Sequence, residues 1–326
     1  MKNVLITGGT GFLGANLASV ISQQGYNVRI LRRPSSDLRA VKDLRLEHFL
    51  GDIRDPDSLR NALQGCDTVF HTAAVVSFKQ KDRELQHEVN VAGTRNVVEA
   101  CLASRVERLV HTSSVATIGP VSEGELASEE TPYKWGAASG YRYTKYLAEQ
   151  EVYAGISQGL DAVIMNPSVI VGERDIHFHG GQMIREVKRG FVPFYIHGGM
   201  NVVYVGDVVQ GHIQAALQGK RGERYILSGE NLTHREIFKR TATLVGGKAP
   251  FAKLPIPLVR AGAVVIERVS RILGIEPLIT PDLVSGAGRR NWFTCEKANA
   301  ELGYRVTPFD QAILAAYHWY TSNGLL

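Results

Sequence analysis

Apolar positions in the first 110 residues fall into two alternating rhythms. Short near-continuous runs at Asn3–Thr7, Asn27–Leu31, Leu44–Leu50, Thr68–Thr72 and Arg108–Thr112 read as strands. Between them, Leu13–Gln24 (stopped by Gly25), Asp57–Leu63 and Val91–Ser104 carry helical spacing. The alternation predicts β–α–β units, hence a mostly parallel sheet with helices on both faces. Right-handed crossovers then bring the carboxyl ends of the strands to one edge, where a ligand sits in such folds. Further on, Tyr141–Ser157 predicts a helix and Asp161–Met165 a strand. Phe178–Gly199, rich in glycine, histidine and aromatic residues, predicts a loop-and-lid region. A strand at Val202–Val205, a helix after Asp207 and a strand at Arg224–Leu227 are expected to return to the main sheet. Helices at Thr233–Val245 and Pro255–Ile275 belong to a smaller domain. The expected fold class is therefore α/β, a doubly wound parallel sheet with a smaller, interleaved second domain.

Composition narrows the function classes. Thirty-seven basic against 32 acidic residues give a net charge of +5, without any block of five or six like charges. Nucleic acid is not an expected partner, whereas an anionic small molecule is. Cys66, Cys101 and Cys295 lie far apart without metal-ligand spacing, which suits a reducing, cytoplasmic compartment. The chain opens directly on Val4-Leu5-Ile6 rather than on a charged leader with a cleavage site. Leu254–Ile275 is apolar, but Arg260, Glu267, Arg268 and Arg271 interrupt it short of a membrane span. It reads as an amphipathic helix, packed in the protein or in peripheral contact with a membrane. No metal site is expected, because the histidines lack a carboxylate or cysteine set at ligand spacing.

The first strand runs into Thr7-Gly8-Gly9-Thr10-Gly11-Phe12-Leu13-Gly14 and then a helix. Gly8 permits a tight turn, Gly11 close backbone approach, and Gly14 close packing of helix on sheet. The amides of Thr10, Gly11, Phe12 and Leu13 then face a pyrophosphate at the helix N-terminus. This setting predicts dinucleotide binding, and the lysine of a nucleotide-hydrolysing phosphate loop is missing. A Rossmann-like domain over 1–168, with a return over 200–230, would hold the cofactor; 169–199 and 231–326 would mainly hold substrate. The second strand ends at Arg32-Arg33-Pro34-Ser35 where an acidic residue would meet the ribose of NAD. Arg32, with Arg33 or Ser35, suits the 2′-phosphate of NADP, so NADP(H) is favoured over NAD(H); a solvated basic turn is the plain alternative. Asp52 and Ile53 follow the third strand, placed either for adenine or to tie down the turn before Pro56. Ala73 and Ala74, after the fourth, are small enough for a cofactor to pass closely.

Tyr141 and Lys145 stand four apart on one predicted helical face. A cationic lysine that also holds the nicotinamide ribose would favour phenolate at Tyr141, making it an acid/base at a substrate oxygen. Ser114, just past the fifth strand, could hold that oxygen, with Ser113 sharing the role or capping the turn. Asp207 is expected to cap the helix that follows it.

Taken together, Thr7–Gly14, Asp52-Ile53, Ala73-Ala74, Asn90, Ser113-Ser114, Tyr141–Lys145 and Asn166-Pro167 resemble the extended short-chain dehydrogenase/reductase superfamily over essentially the whole length. The resemblance implies Ser114 as the polarising serine, Tyr141 as acid/base, Lys145 as the ribose-binding lysine and Pro167 beside the cofactor. It matches Asn90 to a structural or proton-relay asparagine, whose alternative here is a cap on the helix from Val91. Val28–Pro34 and His111–Ser114 resemble the dihydroflavonol reductase, cinnamoyl-CoA reductase and 3β-hydroxysteroid dehydrogenase-like branch. That branch implies NADPH-dependent reduction of an apolar or aromatic ketone or aldehyde to an alcohol. His177, Phe178, His179, Phe191, Phe194, Tyr195 and Trp292 are candidate substrate contacts, or an ordinary core. The rivals are an NAD-dependent nucleotide-sugar epimerase, with Arg289 or Arg290 on a diphosphate, and a non-catalytic NADP-binding sensor. A 4,6-dehydratase is disfavoured because Val115-Ala116 supplies no acidic pair. The helices Val91–Ser104 and Tyr141–Ser157 are expected to form a homodimer interface.

Overall fold

A computed structural model describes residues 1–137, 140–272, 284 and 286–326. The first half alternates β1 (Asn3–Thr7), α1 (Phe12–Gln23), β2 (Asn27–Arg32), β3 (Glu47–Leu50), α2 (Pro56–Ala62) and β4 (Thr68–His71). A short α3 (Arg83–Gln86) passes through a π-helical turn (His87–Ala92) into α4 (Gly93–Ala103). Then come β5 (Arg108–Thr112), α5 (Tyr141–Ser157), β6 (Ala162–Pro167) and β7 (Val169–Val171). The rest holds α6 (Gln182–Arg189), β8 (Phe194–Ile196), β9 (Gly199–Tyr204), α7 (Val205–Gln218), β10 (Arg224–Leu227) and β11 (Glu230–Thr233). It closes with α8 (His234–Val245), β12 (Ala252–Leu254), α9 (Ile256–Ile272), β13 (Arg290–Asn291), α10 (Glu296–Leu302) and α11 (Phe309–Ser322).

Seven strands form one parallel sheet in the order β3–β2–β1–β4–β5–β6–β10. Alternation along each strand feeds both faces. Val4 and Ile6 join Phe70, Val110 and Val163 against α1 and α7, whereas Leu5, Val69, Leu109 and Ile164 meet Leu59, Val97 and Val152 of α2, α4 and α5. A sheet buried on both sides needs apolar residues at consecutive positions, which is why these strands read as runs. The order reverses between β1 and β4, and the crevice above that point is where such sheets bind ligands.

A second sheet sets β11 antiparallel along one edge of β9, with β13 and β7 sharing the other edge. β8 and β12 pair separately. Two expectations change here. The strand predicted at Val202–Val205 is β9 and belongs to the smaller sheet, while α7 and β10 return to the large one. Phe178–Gly199 is not all loop: Ile184 and Val187 bury one face of α6, which ends at Gly190 with φ 73°. Asp207 does not cap α7. It lies inside the first turn and accepts hydrogen bonds from the Thr307 amide and hydroxyl, both at 2.7 Å. Within α9, Ala263 and Ser270 are buried while Leu258, Val265 and Val269 face outward. Residues 273–275 of the predicted helix lie outside the described residues. Among the described residues no helix is long and apolar enough to cross a membrane.

Candidate active site

The turn between β1 and α1 is packed to the limit of backbone contact. Gly8 has φ 71°, and a Cβ there would meet the Ala73 amide nitrogen at 2.7 Å. A Cβ on Gly14 would lie 2.3 Å from the Gly8 carbonyl oxygen, so α1 can start this close to the turn only without one. Gly11 caps α1 without a side-chain hydrogen bond, and the first turn holds no acidic residue. The opening N–H groups of a helix have no intrahelical acceptor, and here neither a cap nor a carboxylate competes with an anion for them. Thr10 precedes Gly11 in this turn, and Phe12 and Leu13 open α1. The donor set fits a pyrophosphate.

At the tip of β2, Arg32 Nε donates to His48 Nδ1 of β3 at 2.9 Å. The Arg33 amide donates to Ser36 Oγ at 3.0 Å, so Ser36 shapes this turn. Asp52 takes the tying role: Arg54 donates from its amide and from Nη2, both at 2.9 Å. The Arg54 side-chain bonds hold the Asp52 carboxyl below the usual carboxylate range against opposing burial. Ile53 is buried, and a Cβ on Gly93 would meet its Cδ1 at 2.6 Å. Ala73 and Ala74 are half-buried beside Gly8.

The carboxyl ends of β4 and β5 and the start of α5 converge on Tyr141. Its hydroxyl is next to that of Ser114; burial pushes the phenol up to about 12, outweighing this neighbour, which favours the phenolate. Ser113 points elsewhere, donating to Glu149 at 2.5 Å. One turn beyond Tyr141, Lys145 is buried and donates from Nζ to the Thr112 carbonyl at 2.7 Å. Burial pulls its ammonium down to about 8, opposed by the Glu149 carboxylate. Asn90 is not a helix cap, because the chain is already helical through the π turn. It accepts from the Val75 amide at 2.8 Å, donates to the Val75 carbonyl at 3.1 Å and to Thr144 Oγ1 at 3.1 Å. The extra residue of the π turn thus aims an amide at the loop after β4 and at α5 together. Pro167 is buried at the end of β6.

The aromatic ring that meets Tyr141 is Phe78, edge-on at 5.9 Å and half exposed, on a loop that also exposes Val76. Sequence reasoning passed over Phe78, Thr144 and Glu149; the i+4 step from Lys145 to Glu149 was the available signal. The expected substrate contacts are dispersed. Phe178 is a core residue, stacked on Tyr320 at 4.6 Å with the Arg185 guanidinium 4.5 Å away, which corrects its assignment to a pocket. His177 and His179 are exposed with rings 5.9 Å apart, and near His177 lies Asp37, in the loop after β2, whose carboxyl the Arg39 side chain and amide hold down to about 2. Phe191 is largely exposed past the end of α6, and Tyr195 lies in the β8–β12 pair. Trp292 follows β13 with the Arg290 guanidinium 5.1 Å from its ring. Among the described residues no group of histidine, cysteine and acidic side chains could hold a metal ion.

Comparison with known proteins agrees with this geometry. The model of the NAD dependent epimerase/dehydratase family matches residues 4–228. A Synechocystis protein named "Putative dihydroflavonol 4-reductase" is 39% identical, the match covering 98% of this chain and 94% of that one. Sterol demethylase protein B of Methylococcus capsulatus is 32% identical over 99% of both chains. The crystal structure of gox2253 superposes with a TM-score of 0.88 at 38% identity and covers 100% of both chains.

Proposed function

The chain belongs to the NAD dependent epimerase/dehydratase family, as an oxidoreductase of the extended short-chain dehydrogenase/reductase type, and we propose that it uses NADPH to reduce an apolar ketone or aldehyde to an alcohol. The observation that carries this reading is the Ser114–Tyr141 hydroxyl pair with Lys145 buried one turn away. The names of the Synechocystis and Methylococcus relatives, and the exposed Phe78 against Tyr141 with Val76 on the same loop, favour an apolar substrate.

The glycine turn and the start of α1 would hold the pyrophosphate, Arg32 and Arg33 the 2′-phosphate, and Lys145 the nicotinamide ribose. When bound, the cofactor supplies a hydride to the carbonyl carbon. Ser114 donates a hydrogen bond to the carbonyl oxygen and fixes its orientation. Tyr141 gives that oxygen its proton. With a phenol pushed up to about 12, Tyr141 is protonated at neutral pH, which is the form reduction requires. The nearby ammonium of Lys145 lowers the cost of the phenolate left behind. Oxidation would need the phenolate first.

Arginine at the tip of β2 supports NADPH over NADH. Binding titrations of both cofactors, followed by turnover with aryl and steroidal carbonyls, test the reading. Preferential NADPH binding with net NADPH consumption is expected. Retained NAD with no net consumption would instead mark an epimerase that returns the hydride to the same molecule.

A further inference from the structure

One buried carboxylate has no part in this chemistry. Glu149 lies on α5 one turn beyond Lys145 and is 1% exposed. Its Oε1 accepts from Ser113 Oγ at 2.5 Å, Thr117 Oγ1 at 2.8 Å and Asn166 Nδ2 at 2.8 Å. Arg224 of β10 brings Nη1 within 3.6 Å of Oε2. A buried carboxylate is tolerable only when hydrogen-bonded and charge-paired, and this one is both.

The donors are not scattered. Ser113 and Thr117 flank Ser114 in the segment leaving β5. Asn166 Nδ2 also donates to the Ser114 carbonyl oxygen at 3.0 Å, and Thr117 Oγ1 lies at the same distance from it. The Ser113 amide is fixed to the Met165 carbonyl of β6 at 2.7 Å. The backbone of Ser114 is therefore gripped by groups that Glu149 grips in turn, and Glu149 sits on the helix that begins with Tyr141.

We propose that Glu149 is the positioning residue of this site: it locks the Ser114 segment to the helix bearing Tyr141 and Lys145, and it sets a carboxylate one helical turn from Lys145. What the lock serves rests on the reductase reading; the lock itself does not. The groups facing Glu149 are Arg224 from β10, Asn166 from β6, Ser113 and Thr117 from the segment after β5, and Lys145 and Tyr153 from its own helix. Lys145 is faced by His71 of β4 and His111 of β5, and burial holds both imidazoles neutral.

Glu149→Gln keeps the shape and an acceptor but removes the charge. NADPH affinity of the full-length protein is measured by fluorescence titration from pH 6 to 10. Wild type is expected to lose affinity as Lys145 deprotonates near 8, and Glu149→Gln to lose it about one pH unit lower. The double variant Ser113→Ala/Thr117→Val keeps the charge and loosens the grip. It is expected to leave the affinity profile in place while carbonyl turnover falls about tenfold. A role in folding alone would lower the melting temperature of Glu149→Gln without moving the profile. A flat wild-type profile, or a folded Glu149→Gln with an unmoved one, overturns the charge role. Wild-type turnover in the double variant overturns the positioning role. Should Glu149→Gln not fold, Glu149→Asp takes its place: the charge stays, so the profile should hold near 8 while turnover drops, and wild-type turnover rejects the proposal. If wild type reduces no carbonyl at all, the reductase reading fails, yet the binding profiles still decide the charge role.

Discussion

Tyr141 and Lys145 sit one helical turn apart, and burial moves their proton affinities in opposite directions because it penalises whichever form carries charge. The phenol keeps its proton and the ammonium is readier to lose one. Turnover in the reductive direction should therefore be level through neutrality and fall as pH rises through about 8, where Lys145 becomes neutral. A kcat/KM profile checks this, and a limb found only near the unshifted lysine value would reject it. Tyr141→Phe removes the proton donor and leaves the ring; kcat is expected to fall by about 10²–10⁴, with NADPH affinity nearly unchanged. Arg32 acts on the cofactor alone. Arg32→Ala should weaken NADPH binding by roughly 1.5–3 kcal/mol, the worth of a hydrogen bond to a charged group, and leave NADH binding where it was. Equal losses for both cofactors would mean that Arg32 does not meet the 2′-phosphate.

The glycine turn shows what an element adds to its residues. Gly14 is helical and unstrained, yet a Cβ there would overlap the Gly8 carbonyl oxygen, so α1 would have to withdraw from β1. Gly14→Ala should lower stability by about 1–3 kcal/mol and weaken both cofactors together, the opposite pattern to Arg32→Ala; thermal melts with and without NADPH separate the two effects. This turn was legible in the sequence because its glycines answer to local backbone geometry. So was α5, found at Tyr141–Ser157 by its spacing. Helix α6 was not, since its eight residues lie between glycines and beside histidines whose composition suggests loop. Nor was the role of Asn90, which depends on one extra residue in a helical turn that no periodicity announces. Glu149 was hidden for another reason: on sequence it is one acidic residue on a polar helix, and only the closure of β5, β6 and β10 around it makes it buried. Phe78 likewise enters the site through the path of an irregular loop. Phe178, singled out by composition, went to the core because the stacking partner Tyr320 lies more than a hundred residues away.

Across the whole molecule, three histidines share one electrostatic consequence. His71 of β4, His111 of β5 and His212 of α7 are fully buried, and desolvation holds His71 at about 3, His212 at about 4 and His111 well below its usual value. His71 bridges Thr7 and Thr94 at 2.7 and 2.9 Å, and His212 bridges Thr112 and the Val208 carbonyl at 2.9 and 2.8 Å, so both serve as neutral hydrogen-bonding groups. In the unfolded chain all three would charge near the ordinary imidazole value. Below about pH 6.5 the unfolded state therefore binds protons that the folded state refuses, and stability must fall as pH falls. Each such histidine contributes a slope of up to about 1.4 kcal/mol per pH unit, or roughly 4 for the three together. The loss begins near 6.5 and persists to about 3–4, where the folded imidazoles would themselves titrate. Denaturant unfolding at half-unit steps from pH 7.5 to 4.5 measures it directly. His111 offers the cleanest control, because neither ring nitrogen has a hydrogen-bond partner among the described residues. His111→Leu removes one proton-binding group from the unfolded chain without breaking such a bond. The variant should fold, and its stability should decline with acid less steeply than wild type, by up to about 1.4 kcal/mol per pH unit. A slope unchanged by His111→Leu would show that His111 takes up its proton in the folded protein as readily as in the unfolded chain, and would overturn this reading.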